Sequence, residues 1–258
     1  MTHLPAMRRA WAPALALLVL ATVFVGLGVW QVQRLAWKTR LIAATEAAVH
    51  AAPVDPATLP PGDLSELVYR RLAITGRFAP AGTTLVTGTS ALGTGYWELV
   101  PLTGDDGRTV MINRGFLPQG SRIAAARSRV PSGPVRIEGL LRLTEPRGTL
   151  LRANRPVQDV WYARDVAAIA AKRGITVDPR LFIDSWGEAP VNALAQGGAA
   201  NCAAVGGNCD SAGLRAPDAP VPGLTVIAFA NNHLGYALTW FTMGLMALAG
   251  AAMLLRRA

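Results

Sequence analysis

Histidine is scarce in this 258-residue chain, which holds only His3, His50 and His233. None lies in the middle of the chain, so a Ser-His-Asp triad built on a central sheet is excluded. The spacings G-x-S-x-G, H-E-x-x-H and the P-loop are missing as well. Ser185 beside Asp184, and Asp159 with Asp165, come nearest to a hydrolytic pair, and each is more simply a turn or helix-end residue. The expectation is a protein that is not an enzyme. Cysteine is rarer still: Cys202 and Cys209, spaced C-x6-C, allow one local disulfide in an oxidising compartment or two free thiols. Two thiolates with no histidine nearby do not fill a tetrahedral metal shell.

Charge is absent from two long stretches. Residues 10–33 and 234–255 carry no charged side chain. At a helical rise of about 1.5 Å per residue, either run can cross a hydrocarbon core of roughly 30 Å. Two transmembrane helices are therefore expected, over 10–33 and 231–255. The first follows a short basic segment, 1–9, ending in Arg8-Arg9, and so resembles a signal peptide. Its apolar run exceeds a signal h-region, and no small-x-small site precedes Trp30-Gln31-Val32-Gln33-Arg34, which favours an uncleaved anchor. Arg256 and Arg257 follow the second run, whereas 218–232 contains no Lys or Arg. By the positive-inside rule, residues 256–258 are cytoplasmic. With two spans, residues 1–9 are cytoplasmic too, although Arg34, Lys38 and Arg40 locally balance Arg8-Arg9. The region between the spans then lies outside the cytoplasm.

That compartment bears on the charge excess. The chain has 25 basic against 16 acidic residues, a formal +9, and all of its basic residues except Lys38 and Lys172 are Arg. Such a balance could suit nucleic acid, but an extracytoplasmic location argues against it. Anionic lipid headgroups or an acidic protein partner are the expected counterparts.

Between the spans, 34–66 is expected to be a helix extension followed by a Pro-rich linker with Pro53, Pro56, Pro60 and Pro61. A β-rich domain fills 67–230. Alternating β-favouring residues predict strands over 69–78, 83–87, 96–102, 109–116 and 135–143, with later strands over 181–185 and 224–229. Gly104-Asp105-Asp106-Gly107 has the composition of a hairpin loop. One amphipathic helix is expected from Ala163 to Arg173, opened by Tyr162 and stopped by Gly174. Residues 189–222, rich in Ala, Gly, Asn and Pro, are expected to be a flexible insertion. The fold class is an α+β membrane protein: two transmembrane helices flanking an extracytoplasmic antiparallel sheet or small barrel with one or two helices.

Because the spans run antiparallel, the end of the first and the start of the second meet at one membrane surface. Asn231 and Asn232 are suitable N-cap residues, which sets His233 in the first turn at the boundary. A neutral imidazole there can offer a lone pair to a metal. His233, Tyr236, Ala237, Trp240, Gly244, Ala247 and Ala251 share one helix face, aromatic near the boundary and small deeper down. Opposite them, Gly26, Trp30, Arg34 and Trp37 fall on one face of the first helix, with Lys38 one turn beyond Arg34. Arg34 can lie against either indole. Two accounts of this cluster stand. In one, His233 and its Asn neighbours only satisfy backbone groups at the interface, Tyr236 and Trp240 are belt anchors, and Arg34 and Lys38 hold lipid phosphate. In the other, His233 ligates a metal, Arg34 or Lys38 neutralises carboxylates of the same bound group, and Trp30, Tyr236 and Trp240 complete the six candidate residues as its aromatic contacts, a combination that suits haem.

Three segments together resemble the surfeit-locus family of cytochrome c oxidase biogenesis proteins. They are Gly28-Val29-Trp30-Gln31-Val32-Gln33-Arg34-Leu35-Ala36-Trp37-Lys38, Asn113-Arg114-Gly115-Phe116, and Asn232-His233-Leu234-Gly235-Tyr236-Ala237-Leu238-Thr239-Trp240-Phe241. Tyr69-Arg70-Arg71 and Gly95-Tyr96-Trp97-Glu98-Leu99 extend the resemblance across the central domain; the insertion holding Cys202 and Cys209 is outside it. The resemblance implies a bacterial inner-membrane assembly factor of the haem-copper oxidase with no reaction of its own. It further implies transient binding of haem a, with His233 as iron ligand, and partnership with oxidase subunit I and the haem a delivery machinery. A scaffold that steadies an oxidase assembly intermediate without binding haem is the alternative. Arg114-Gly115-Phe116 is expected to be structural, with Gly115 permitting a turn at a strand end, the alternative being that this end faces the partner.

Overall fold

The structure, a computed structural model, describes residues 6–146, 152–190, 219–224 and 229–257. Two compact units emerge, one formed by Met1–Ala44 with Ile227–Ala258 and the other by Thr45–Val226.

The first unit is a pair of helices. Helix α1 runs unbroken over Ala6–His50, so the expected span and its extension are one element. The second helix of the pair covers His233–Arg256, close to the predicted 231–255. Both are long and apolar enough to cross a membrane. They pack against each other through small residues. Gly244 faces Ala21 and Val25, Gly250 faces Leu17, and Ala237, Gly244, Ala247 and Ala251 are buried. Rising numbers in one helix meet falling numbers in the other, so the pair is antiparallel. Leu15, Val19, Val23, Leu238, Leu245 and Met246 are left exposed on its outside, an apolar coat suited to lipid.

The second unit is a barrel. Its strands are β1 (Arg71–Phe78), β2 (Thr84–Ser90), β3 (Gly93–Gly104), β4 (Thr109–Pro118), β5 (Pro134–Leu143) and β6 (Leu181–Pro190). The order β1-β5-β6-β4-β3-β2 closes on itself because β1 also pairs with β3, leaving β2 as a flap on β3. Closure brings Gly76 opposite Gly104, where a Cβ on Gly76 would sit 2.2 Å from the Thr103 carbonyl oxygen. The sheet is not purely antiparallel: β4 and β6 run parallel, with Met111 opposite Phe182. Five strands closed in a ring force this, since an odd number cannot alternate direction all the way round. The loop at 104–107 is a turn between β3 and β4, as expected, and is closed by Gly107 N–H donating to the Gly104 carbonyl.

Alternation along the strands sorts the core into two layers. Leu72, Ile74, Val100, Leu102, Val110, Ile112, Ile137, Leu141 and Ile183 fill the interior. Leu99, Met111 and Phe182 face outward and are covered by Trp161 and by Val166 and Ile169 of helix α3 (Val166–Arg173). Each such aliphatic burial stabilises by about 1.5–3 kcal/mol. Helix α3 starts later than its predicted Ala163: Asp165 is the N-cap, accepting from Ala168 N–H at 3.0 Å, and Gly174 ends the helix in the left-handed conformation. Another short helix, α2 (Ile123–Ser128), has no counterpart in the expectation. The Pro-rich stretch packs on the barrel, with Leu64 in its core and Val54 bridged to Leu72. Strand β6 continues to Pro190, past the predicted Ser185. The segment 219–224 lies back on β4 through reciprocal hydrogen bonds between Phe116 and Val221, both 2.9 Å. Cys202, Cys209, most of the expected insertion and residues 225–228 of the last expected strand lie outside the described residues.

Candidate functional site

The helix pair's end at His233 is built by a seam on α1. Phe24, Gly28, Gln31 and Lys38 recur at spacings of four, three and seven, which keeps them on one side of the helix. Each meets the second helix, here α4 (His233–Arg256), or the chain just before it. The Phe24 and Trp240 rings stack with centroids 5.7 Å apart. The Phe241 ring lies over Gly28 so closely that a Cβ there would come within 2.6 Å of it. Gln31 Oε1 is 2.7 Å from His233 Nδ1. Lys38 Nζ donates to the Ala230 carbonyl.

His233 opens α4, as the sequence predicts. Asn232 is its N-cap residue, but its side chain makes no cap hydrogen bond. The helix starts through the Asn232 backbone instead, whose carbonyl accepts from Tyr236 N–H at 3.3 Å. Asn231 Oδ1 is buried without a partner among the described residues.

The six candidate residues divide. His233, Lys38 and Trp240 sit on the seam between the helices, with Trp240 engaged by Phe24. Arg34 is turned about 60° round α1 from Gln31, and Trp30 about 100° from it. Trp30 is 54% exposed and Tyr236 57% exposed, on the outside of the pair. The predicted face of Gly26, Trp30, Arg34 and Trp37 is thus not the face that meets α4. Arg34 does form a cation-π contact, with Trp37, at 4.0 Å from the ring centroid. Gln31 is the residue that sequence reasoning missed. Its signal was phase: it shares the side of α1 that carries Phe24 and Gly28, not the side that carries the tryptophans.

The chemistry available is that of a lone imidazole. Gln31 Oε1 is the atom that faces Nδ1, which suits the tautomer with its proton on Nδ1 and a lone pair on Nε2; Nε2 has no partner among the described residues. No three His, Cys, Asp or Glu side chains converge on a metal position among those residues. A metal held at His233 therefore draws its remaining ligands from its own carrier or from a partner. A porphyrin would bring four nitrogens and two carboxylates, leaving one iron position for His233, and Arg34 and Lys38 are cations about one and two turns beyond Gln31 on α1. These residues fit a haem.

The polar residues that the sequence singles out in the central unit are hydrogen-bonded within it. Asn113 Nδ2 donates to Asp184 Oδ1 at 2.7 Å, and Asp184 Oδ2 accepts from Arg142 at 3.1 Å. Ser185 Oγ donates to the Gly187 carbonyl at 2.9 Å. Asp159 accepts from Trp161 Nε1 and Arg173, both 2.8 Å, and Asp165 caps α3. Asp159 and Asp165 are thus the helix-end residues expected, whereas Asp184 and Ser185 are buried strand residues. Arg114 reaches the barrel end between two carboxylates: it donates to Glu98 Oε2 at 2.8 Å and to Glu188 through both Nε and NH2. Burial pushes Glu98 from 4.5 up to about 7, with Arg114 opposing and Glu188 adding to the rise. Burial works against the charge on Arg114, but Glu188 and Glu98 more than offset it and hold its proton more tightly than usual. Gly115 lies inside β4 at a register shift, not at the strand end expected, with φ of +139°. A Cβ there would be 2.4 Å from the Val221 carbonyl. The Asn113-Arg114-Gly115-Phe116 segment is thus a structural knot, as predicted for its last three residues.

The profile of the SURF1 family matches residues 18–245, spanning both helices and the barrel. Surfeit locus protein 1 of Mus musculus is 33% identical over 242 residues, covering 87% of this chain and 69% of its own length. Surfeit locus protein 1 of Homo sapiens is 31% identical over 246 residues, covering 87% and 71%. A SURF1-like protein of Monosiga brevicollis is 32% identical over 250 residues, covering 91% and 84%. With the match running through both helices and the intervening domain, the chain belongs to the SURF1 family.

Proposed function

We propose that this chain is an assembly factor for the haem-copper cytochrome c oxidase, binding haem a through His233 and assisting its insertion into, or retention by, subunit I. The observation that carries the reading is the Gln31–His233 hydrogen bond, which leaves Nε2 as the available ring nitrogen at the end of a helix pair. Bound haem a supplies an iron needing an axial nitrogen and two propionates needing cations. His233 would hold the iron, and Arg34 and Lys38 the propionates. Trp30, Tyr236 and Trp240 supply flat aromatic surface at that end. The work is binding and presentation, without turnover of its own.

The membrane assignment follows from the same elements. Two helices able to span a bilayer, with Arg8, Arg9, Arg256 and Arg257 at their other ends, support a bacterial inner-membrane protein with cytoplasmic termini and a periplasmic barrel.

Expression of the full chain alongside haem a synthesis, followed by an absorption spectrum, tests the proposal. A Soret band on the purified protein, lost in His233→Ala, is expected. An equally intense band in His233→Ala would overturn ligation. A scaffold without haem is the second reading, because the Gln31–His233 and Lys38–Ala230 contacts tie the two helices with no ligand at all. In that case the wild type shows no Soret band, and oxidase subunits co-purify with it.

A further inference from the structure

We infer that Gln31 is a positioning residue for His233, selecting the tautomer and ring orientation that make Nε2 a ligand. This rests on the reading of His233 as the iron-binding residue, but its first test needs no iron.

An imidazole offers a lone pair from one nitrogen only, and which one depends on the hydrogen bond made by the other. Free histidine side chains favour the proton on Nε2, the arrangement that hides the lone pair on Nδ1, close to the backbone. Here Nδ1 lies 2.7 Å from Gln31 Oε1, within the usual range for a hydrogen bond. The acceptor is well held. Gln31 is only 9% exposed, on the side of α1 that also carries Gly28 beneath the Phe241 ring. Its amide therefore cannot swing into solvent without disturbing the seam. Gln31 Oε1 is the acceptor that faces Nδ1 among the described residues, so an Nδ1–H without Gln31 would lose that protein hydrogen bond. The proton would then return to Nε2. Where histidine serves as a metal ligand, an acceptor on the second ring nitrogen fixes the ring and raises its basicity, and removing that acceptor typically costs 10–100-fold in metal affinity. Gln31 has the geometry of such an acceptor, supplied by the opposite helix. The pairing of α1 with α4 thereby becomes part of the ligand's chemistry.

The test begins with the haem-free full chain in detergent micelles, labelled with nitrogen-15 at histidine, at alkaline pH. With three histidines in the chain, the His233 ring signals are those that vanish in His233→Ala. The wild type is expected to show Nδ1 protonated and Nε2 bare. Gln31→Leu should invert this, and Gln31→Glu, which keeps an acceptor, should preserve it. An Nε2-protonated ring in the wild type, or no change in Gln31→Leu, would overturn the inference. Haem-loaded protein gives the second reading. The iron–imidazole stretching frequency should rise in Gln31→Glu and fall in Gln31→Leu, with haem affinity in the latter reduced 10–100-fold. If the wild type takes up no haem, the proposed function fails while the tautomer result still stands, so the two failures are distinct.

Discussion

Arg114 donates to Glu98 Oε2 at 2.8 Å inside the end of the barrel, with side-chain exposures of 4% and 0%. Glu98 Oε1 has no partner among the described residues, and Glu188 occupies the other side of the guanidinium. Arg114 thus bonds two carboxylates, one fully buried and one 19% exposed, with Arg129 acting on Glu98 from further off. Removing Arg114 breaks both pairs, which costs about 3–5 kcal/mol. Arg114→Ala should therefore unfold in urea at a far lower midpoint than the wild type, followed by tryptophan fluorescence of the full chain in micelles. A midpoint shift worth under about 1 kcal/mol would contradict the burial of this cluster.

The same cluster predicts how stability varies with pH. Burial raises Glu98 from 4.5 to about 7 in the folded protein. Between those values the folded state binds a proton that the unfolded state has lost, so its contribution is complete below about 4.5 and is lost as pH rises toward 7. The size is on the order of 3–4 kcal/mol, since each tenfold difference in proton affinity between the two states is worth about 1.4 kcal/mol. Glu138, Glu145 and Asp178 have values lowered by their arginine partners and act at more acid pH, in the opposite direction. Unfolding midpoints measured from pH 5 to 8 should fall and then level off, and Glu98→Gln should flatten that slope. An unchanged slope in Glu98→Gln would assign it to other groups.

Gly115 makes a third case. Its φ of +139° is a conformation that side chains rarely adopt, and a Cβ would collide with Val221 and Pro222. Gly115→Ala should release 219–224 from β4, at a cost of about 1–3 kcal/mol in strain or lost contacts. Hydrogen exchange reports it directly: the amides of Phe116 and Val221, paired in the wild type, should lose protection while Ile112 keeps its own.

Much of this architecture is legible in the sequence, for identifiable reasons. The strands betray themselves by alternation, and the helix pair by two uncharged runs. Gly174 and Asp165 lie where a helix must stop and start, although the sequence pattern places the start three residues early because Ala163 and Arg164 suit a helix as well as Val166 does. The succession of short strands allows an open sheet or a small barrel, and closure itself is not legible. It depends on Gly76 meeting Gly104, a pairing between residues far apart in sequence that no local pattern encodes. The parallel β4–β6 contact follows from that closure and is hidden with it. Helix α2 has six residues and no side-chain cap, too little for a periodic signal. At the candidate site, His233 stands out as a lone histidine heading an apolar run, and Lys38 as a rare lysine. Gln31 does not, because the tryptophans Trp30 and Trp37 draw attention to a different side of the same helix.

The side of α1 that carries Gln31 is closely packed against α4. Gly28 leaves room for the Phe241 ring, and Phe24 stacks on Trp240 less than two turns below His233. Van der Waals fit of this kind is what joins helices in lipid, where no hydrophobic force distinguishes a partner helix from acyl chains. Gly28→Leu should therefore push the helices apart. It touches neither Gln31 nor His233 chemically, yet it should weaken their hydrogen bond and any ligand binding that depends on it. Disulfide formation between Ala21→Cys and Gly244→Cys, in a chain with Cys202 and Cys209 replaced by Ser, measures the approach. It should proceed readily in the Gly28 background and slow at least several-fold in Gly28→Leu. Adding Phe241→Ala restores the space, because the volume gained on one helix is removed from the other, and cross-linking should recover. If Gly28→Leu cross-links as fast as its parent, the seam is not where these helices meet, and the placement of Gln31 beside His233 falls with it.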